Sequence, residues 1–264
     1  MRLKKYHIDA FTDKLFGGNP ACVVPLEEWL SDDLLLNITK ENNLAETAFF
    51  VPEADRFHIR WFTPELEMDL CGHATLATAH VIRKHLNYLE DKIRFTSASG
   101  DLEVVFEGDR YILDFPSRMP VSTSLPSIIE DSLNIKPLEV FQARDYVLLY
   151  ENEDDIIALK PDENKLKGID LGHGGIVCTA LGREVDFVSR FFTPGASIFE
   201  DPVTGSAHCS LIPFWSEKLG KDELLANQLS DRKGVLYCSN NDDRVKIAGH
   251  AVSYSVGEIY LKQD

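Results

Sequence analysis

At 264 residues, 44% of them hydrophobic and with no long monotonous polar segment, the chain can bury one large core or two ordinary ones and is not disordered. Its 43 acidic and 27 basic residues give a net charge of −16, and no basic patch offsets it, so nucleic acid and anionic membrane surfaces are excluded as partners. No run of about 18 apolar residues occurs and no signal-peptide core follows "MRLKKYHIDAF", so a soluble cytoplasmic protein is expected.

The five cysteines, Cys22, Cys71, Cys178, Cys209 and Cys238, contain no CxxC pair, which fits reduced thiols and neither a disulfide framework nor a zinc ribbon. Near the start, "FGGNPACVV" is neither a GxGxxG nor a P-loop motif and gives no support to nucleotide binding. "SDDLLLNITKENN" reads as a helix capped by Ser31, with Asn42 and Asn43 suited to its left-handed end. "LAETAFFV" then reads as a strand in which Leu44, Glu46, Ala48 and Phe50 share one face. "FHIRWF" is a second strand, stopped by Thr63-Pro64, and after an acidic loop Gly72 opens a helix that runs to about His85. A β segment, "IRFTSASGDLEVVFEGDRYILDFP", follows, and the Pro- and Ser-rich residues 116–127 read as a linker.

The second half repeats this order. Phe57, Arg60, Phe62, Thr63 and Pro64 return 130 residues later as Phe187, Arg190, Phe192, Thr193 and Pro194. After three extra residues, Gly72 and Ala74 match Gly205 and Ala207. Such a period is far beyond solenoid repeats and marks a duplicated half-molecule. The second helix spans about Gly205 to Leu219, and Pro213 inside it is expected to kink or shorten it. Both helices are apolar on more than one face, as buried helices wrapped by sheet would be. The expected domains are 1–115 with a C-terminal return over 251–264, and 128–250.

Two like helices starting at Gly72 and Gly205 would offer free backbone N–H groups to a carboxylate if the halves face each other. A lone glycine before a helix more often only permits a tight turn, but here it recurs in both copies. Glu46 lies among apolar neighbours, where a carboxyl is poorly solvated, which suits a group exchanging protons near neutral pH. It falls opposite Ile176 in the repeat, so the carboxylate exists in one half only. His73 is matched by Ser206, and Asp201 lies in the longer second loop. Cys71 beside Gly72 could be a thiolate activated by the helix end, but the second loop has no matching cysteine, and Cys209 reads as a buried core residue. Cys71, His73, His80 and His85 lack the i,i+4 histidine spacing of a helical zinc site, so no metal is expected.

Together, "IDAFTDKLFGGNPACVV", "NNLAETAFF", "FTPELEMDLCGHATLATAHV" and "SIFEDPVTGSAHCSL" resemble the PhzF family of phenazine-biosynthesis isomerases, within the diaminopimelate epimerase superfamily, over almost the whole chain. The resemblance implies an α/β (α+β) fold of two pseudo-symmetric halves, each a sheet or barrel curled around a central helix, with the active site in the cleft between them and commonly a homodimer. It implies cofactor-free chemistry in which Glu46 is the acid/base, with His73, Asp201 and Ser206 as its catalytic companions. Gly72, Cys71, Ala74, Gly205 and Asn19 are the positions expected to bind substrate.

The expected function is therefore a cofactor-independent isomerase moving a proton on a small carboxylate. Two alternatives stand beside it: a catalytically idle relative that binds a small molecule or a protein, and an epimerase pairing Cys71 with Asp201.

Overall fold

A computed structural model of the chain describes residues 1–172 and 174–262. The first elements are β1 (Arg2–Ala10), β2 (Asn19–Pro25), α1 (Asp32–Asn42), β3 (Glu46–Pro52), β4 (Phe57–Phe62), β5 (Glu67–Met68), α2 (Gly72–His85), β6 (Lys92–Ser97), β7 (Gly100–Glu107) and β8 (Arg110–Pro116). Next come β9 (Val121–Ser122), α3 (Ser127–Ser132), β10 (Glu139–Gln142), β11 (Tyr146–Leu149), α4 (Glu153–Ala158), α5 (Glu163–Leu166), β12 (Ile176–Leu181) and β13 (Phe187–Phe192). The chain ends with β14 (Glu200–Asp201), α6 (Gly205–Leu219), β15 (Glu223–Gln228), β16 (Gly234–Asn241), β17 (Arg244–Gly249) and β18 (Ala251–Tyr260).

These form two compact units, one of Met1–Asp114 with Ala248–Asp264, the other of Phe115–Ile247. Residues 116–127, read from the sequence as a linker, lie inside the second unit. There β9 pairs with β10, and the Ser117 N–H donates to the Asp243 carbonyl.

In the first unit β1 is flanked by antiparallel β18 and β2, β2 runs parallel to β3, and β3 forms an antiparallel pair with β4. β4 also pairs with β6 in parallel, and β6–β7–β8 continue as an antiparallel meander. One side of the sheet buries Leu3, Cys22, Val24, Phe49 and Phe62 under Leu35 and Ile38 of α1. Strand alternation turns Glu46, Ala48 and Phe50 to the other side, where α2 packs against β1, β2, β3 and β18. Every residue of α2 from His73 to Ile82 is buried, as an all-round apolar helix requires. Ser31 is the N-cap of α1 without a side-chain cap bond, and Asn43 ends the helix in the left-handed conformation.

The second unit repeats the grammar: β11 parallel to β12, β12 antiparallel to β13, β13 parallel to β15, and β15 antiparallel to β16. Here α3, α4 and α5 cover the outer side through Ile129, Ile156 and Leu166. On the inner side the Trp215 indole of α6 stacks on Phe187 and donates to Thr179 Oγ1 at 2.9 Å. The duplication extends to side chains. Arg60 grips Glu67 with Nε and Nη2, and Arg190 grips Glu200 in the same way. Each guanidinium lies about 5 Å over a phenylalanine two residues on, Phe62 and Phe192.

Two sequence expectations are corrected. Register pairs Thr47 with Phe62 and Ile176 with Phe192, so the counterpart of Glu46 is Gly175, not Ile176; a one-residue gap before the strands hid this. Pro213 neither ends nor shortens α6, which runs to Leu219. Proline has no N–H for the carbonyl four residues back, Cys209, and that carbonyl instead accepts the main-chain N–H of Arg118 at 2.9 Å. Among the described residues no helix is long and apolar enough to cross a membrane.

Candidate active site

In the first unit the candidate residues gather where β2, β3 and the start of α2 meet. Asn19 begins β2 directly after Gly18, whose φ of +63° turns the chain tightly onto β1. A Cβ at Gly18 would stand 2.1 Å from the Ala10 carbonyl oxygen, so only glycine fits there. Parallel pairing sets Glu46, the first residue of β3, beside Ala21 of β2. Cys71 is the N-cap of α2, Gly72 its first residue, and His73 and Ala74 are buried in its first turn.

His73 links the group. Asn19 Nδ2 lies 3.2 Å from its Nδ1, and Cys71 Sγ lies 3.6 Å from the same nitrogen. On the opposite edge of the ring, Nε2 lies 3.0 Å from Glu46 Oε2. That approach is close but oblique: both atoms are buried and neither is aligned as a hydrogen bond, so each retains capacity for a ligand. The Glu46 side chain is 17% exposed, against 6% for His73, so the carboxylate is the more open of the two. On the neutral ring, Asn19 donates to Nδ1 and the ring proton sits on Nε2, toward Glu46. A second proton gives each ring edge an N–H, with the Cys71 sulfur and the Glu46 carboxylate beside them.

Burial opposes a charge on His73, but the adjacent Cys71 and Glu46 outweigh it and raise its pKa well above the usual histidine value. For Cys71 burial dominates and raises the thiol, despite the lowering effect of His73. Burial thus disfavours the thiolate, which weakens the case for the sulfur as nucleophile or base.

One ligand atom each from Glu46, Cys71 and His73 lies within 4.8 Å of the others, a set that could hold a metal ion. Helical histidine spacing gave no sign of it, because Glu46 comes from a strand. The short contacts use opposite edges of the His73 ring, so an ion taking one ring nitrogen would leave the contact at the other edge unused.

In the second unit Asp201 lies in β14, paired with Phe191, where the first unit has Met68 paired with Trp61. Its Oδ2 accepts the Thr204 hydroxyl. Gln228, buried and without any motif to announce it, ties this loop: Oε1 accepts the Thr204 N–H at 2.8 Å, while Nε2 donates to the Asp201 carbonyl and to Thr204 Oγ1. Gly205 opens α6, and Ser206 Oγ accepts from Arg144 at 2.9 Å. Neither N-cap side chain, Cys71 or Thr204, closes its helix, so both first turns keep free N–H groups.

Residues 8–257 match the family described as phenazine biosynthesis-like protein. The chain belongs to this family. An uncharacterized isomerase of Pseudomonas aeruginosa is 45% identical to it, covering 99% of this chain and 100% of the relative. The crystal structure of a PhzF-family phenazine biosynthesis protein from Enterococcus faecalis superposes with a TM-score of 0.95 at 45% identity, over 99% of this chain and 100% of that one. A predicted epimerase from Pseudomonas aeruginosa shares the fold at 19% identity and a TM-score of 0.73, over 98% of this chain and all of its own. The fold is thus the α+β, epimerase-like fold of the PhzF family, and family and relatives together support a function of isomerase type.

Proposed function

We propose that the protein is a cofactor-independent isomerase that moves a proton between carbons of a small carboxylate substrate, with Glu46 as the acid/base. The observation that carries this reading is the Glu46–His73 contact: a carboxylate only 17% exposed, 3.0 Å from an imidazole nitrogen, neither aligned to the other. Glu46 takes a proton from one carbon and returns it to another, while His73 holds or relays charge and Asn19 fixes the ring. The raised pKa favours the charged form of His73 beside the carboxylate, with the Asn19 amide turned so that its oxygen accepts from Nδ1, and that charge stabilises negative charge developing on substrate. The uncapped first turn of α2 offers N–H groups for an anionic group of the substrate, and so, separately, does that of α6.

A thiol mechanism pairing Cys71 with Asp201 is less favoured, since burial disfavours the Cys71 thiolate and Thr204 stands in the matching position before α6. A screen of small carboxylic acids incubated with the protein in heavy water, read by NMR for isomerised product and carbon-bound deuterium, tests the reading. Conversion by the native protein that survives Cys71→Ser supports it; conversion that Cys71→Ser abolishes transfers the chemistry to the thiol. Asp201→Asn and Ser206→Ala, assayed alongside, report whether the second unit takes part in turnover.

A further inference from the structure

His80 and His85, whose spacing along α2 fits no helical metal pair, meet at a residue from the far end of the chain. His80 Nε2 lies 2.9 Å from Ser253 Oγ, and His85 Nε2 lies 2.8 Å from the same oxygen. Two side chains five residues apart on a helix point about 140° away from each other, so it is Ser253 of β18 that brings the rings together. On its other edge, His80 Nδ1 lies 2.9 Å from the Tyr111 hydroxyl of β8. All four residues belong to the first unit. His80 stands about 10 Å along the helix from His73, so this cluster is separate from the one around Glu46.

The strand is shaped to present the serine. Ser253 stands opposite Ile8 and Ser255 opposite His7, so Tyr254 is an extra residue, a bulge, in β18. Residues that face each other across a sheet share a side. The bulge therefore turns Ser253 and Ser255, which a regular strand would put on one side, to opposite sides. Ser253 goes to α2 and is half-buried there, while Ser255 is exposed.

A serine hydroxyl has one proton to donate, so the two imidazoles have different roles. Burial pushes Tyr111 up to about 12, and the phenol keeps its proton. With that proton donated to His80 Nδ1, the His80 proton sits on Nε2 and is donated to Ser253 Oγ, and the Ser253 hydroxyl donates to His85 Nε2. Every contact then has one donor and one acceptor. The reverse order also pairs every group, but it makes His80, only 7% exposed, the ring that would take up charge, whereas His85 is the more open of the two. His85 itself is packed against the Tyr6 ring at a centroid distance of 4.8 Å. A hydroxyl within hydrogen-bond reach of an imidazole, held in place by a second imidazole that a third group orients, has the geometry of an activated nucleophile.

We propose that Ser253 is a nucleophile, with His85 as its general base, that accepts the acyl group of small carboxylic esters with a good leaving group. Ser253 Oγ bonds to the ester carbonyl carbon and its proton passes to His85 Nε2. The bond to the leaving oxygen then breaks, and the alcohol or phenol departs with that proton, leaving an O-acylserine and a neutral imidazole. His80 is a positioning residue whose Nε2–H holds the oxygen, and Tyr111 sets the His80 ring. A general base contributes about 10²–10⁴-fold, enough for an ester whose leaving group is already stable and too little for an amide. This activity does not rest on the isomerase reading.

The test uses the full chain and p-nitrophenyl acetate. Release of p-nitrophenolate is followed by absorbance, and acid-quenched protein is mapped by tandem mass spectrometry. Acetyl should appear on Ser253 at least tenfold more than on Ser255, although Ser255 is the more exposed; this comparison needs no variant. The initial release should fall at least tenfold in Ser253→Ala and in His85→Gln and stay at the native rate in Ser255→Ala, with circular dichroism checking that each variant is folded. Release unchanged in Ser253→Ala or in His85→Gln, or acetyl on Ser255 to the same extent as on Ser253, overturns the proposal. Neither result bears on proton transfer by Glu46.

Discussion

Replacing Gly18 by alanine tests how the turn before Asn19 is built. Gly18 and Gly108 have nearly the same backbone angle, φ +63° and +64°, and both belong to the first unit. They differ in surroundings: a Cβ on Gly18 would meet the Ala10 carbonyl oxygen at 2.1 Å and Thr12 Cγ2 at 2.8 Å, while one on Gly108 meets nothing within 4 Å. Placing an L residue at positive φ costs about 1 kcal/mol in either case. At Gly18 about 1 Å of main-chain displacement must be added in a strand held by antiparallel partners, an overpacking cost of about 2 kcal/mol. Gly18→Ala should therefore lose about 3 kcal/mol where Gly108→Ala loses about 1, and at roughly 3 °C per kcal/mol the melting temperatures should differ by about 6 °C. Differential scanning calorimetry of the two variants measures the gap directly. Equal melting temperatures would show that the clash is relieved at no cost and that the Gly18 turn does not need glycine.

Acid should weaken the fold through two buried histidines. Burial, His85 and Lys84 lower His80 to about 4, and burial lowers His208 to about 4. A folded-state pKa below the unfolded value gives stability that is complete above pH 6.5 and is lost as pH falls toward 4, up to about 3 kcal/mol for each group. His80→Gln and His208→Gln should each flatten the urea-midpoint curve across that window, and an unchanged slope would contradict the assignment. Gln228→Leu removes three hydrogen bonds around Thr204 and Asp201 and should cost about 2–4 kcal/mol in urea unfolding, whereas a loss below about 0.5 kcal/mol would show the loop to be held otherwise. Because His73 meets Glu46 and Cys71 on opposite ring edges, dialysis against EDTA should leave turnover intact, and restoration of lost turnover by zinc would make the three residues a metal site after all.

The duplicated framework was legible because its signals are local. The Thr-Pro stops and the glycines at 72 and 205 set the strand ends and helix starts where they are found, and both helices end at His85 and Leu219 as read. What the sequence hid depends on pairing across distance. The parallel register of β2 with β3 places Glu46 at His73, and no spacing along the chain encodes the 3.0 Å contact. The true counterpart of Glu46, Gly175, lay one gap away from the offset that aligned the arginines. Gln228 and Arg144 carry no motif. Pro213 did not shorten α6, because the carbonyl it frees is satisfied from another segment.

The central claim is that Glu46 moves the proton, and the direct test is the turnover of Glu46→Gln on whichever carboxylate the native protein converts, measured beside ligand affinity. Glutamine keeps the shape and hydrogen-bonding reach of the side chain and removes only the titratable group. The account predicts a fall in kcat of at least about a hundredfold with binding largely retained, since loss of general acid–base action costs that much or more. Native kcat in Glu46→Gln would remove Glu46 from the mechanism and contradict the claim.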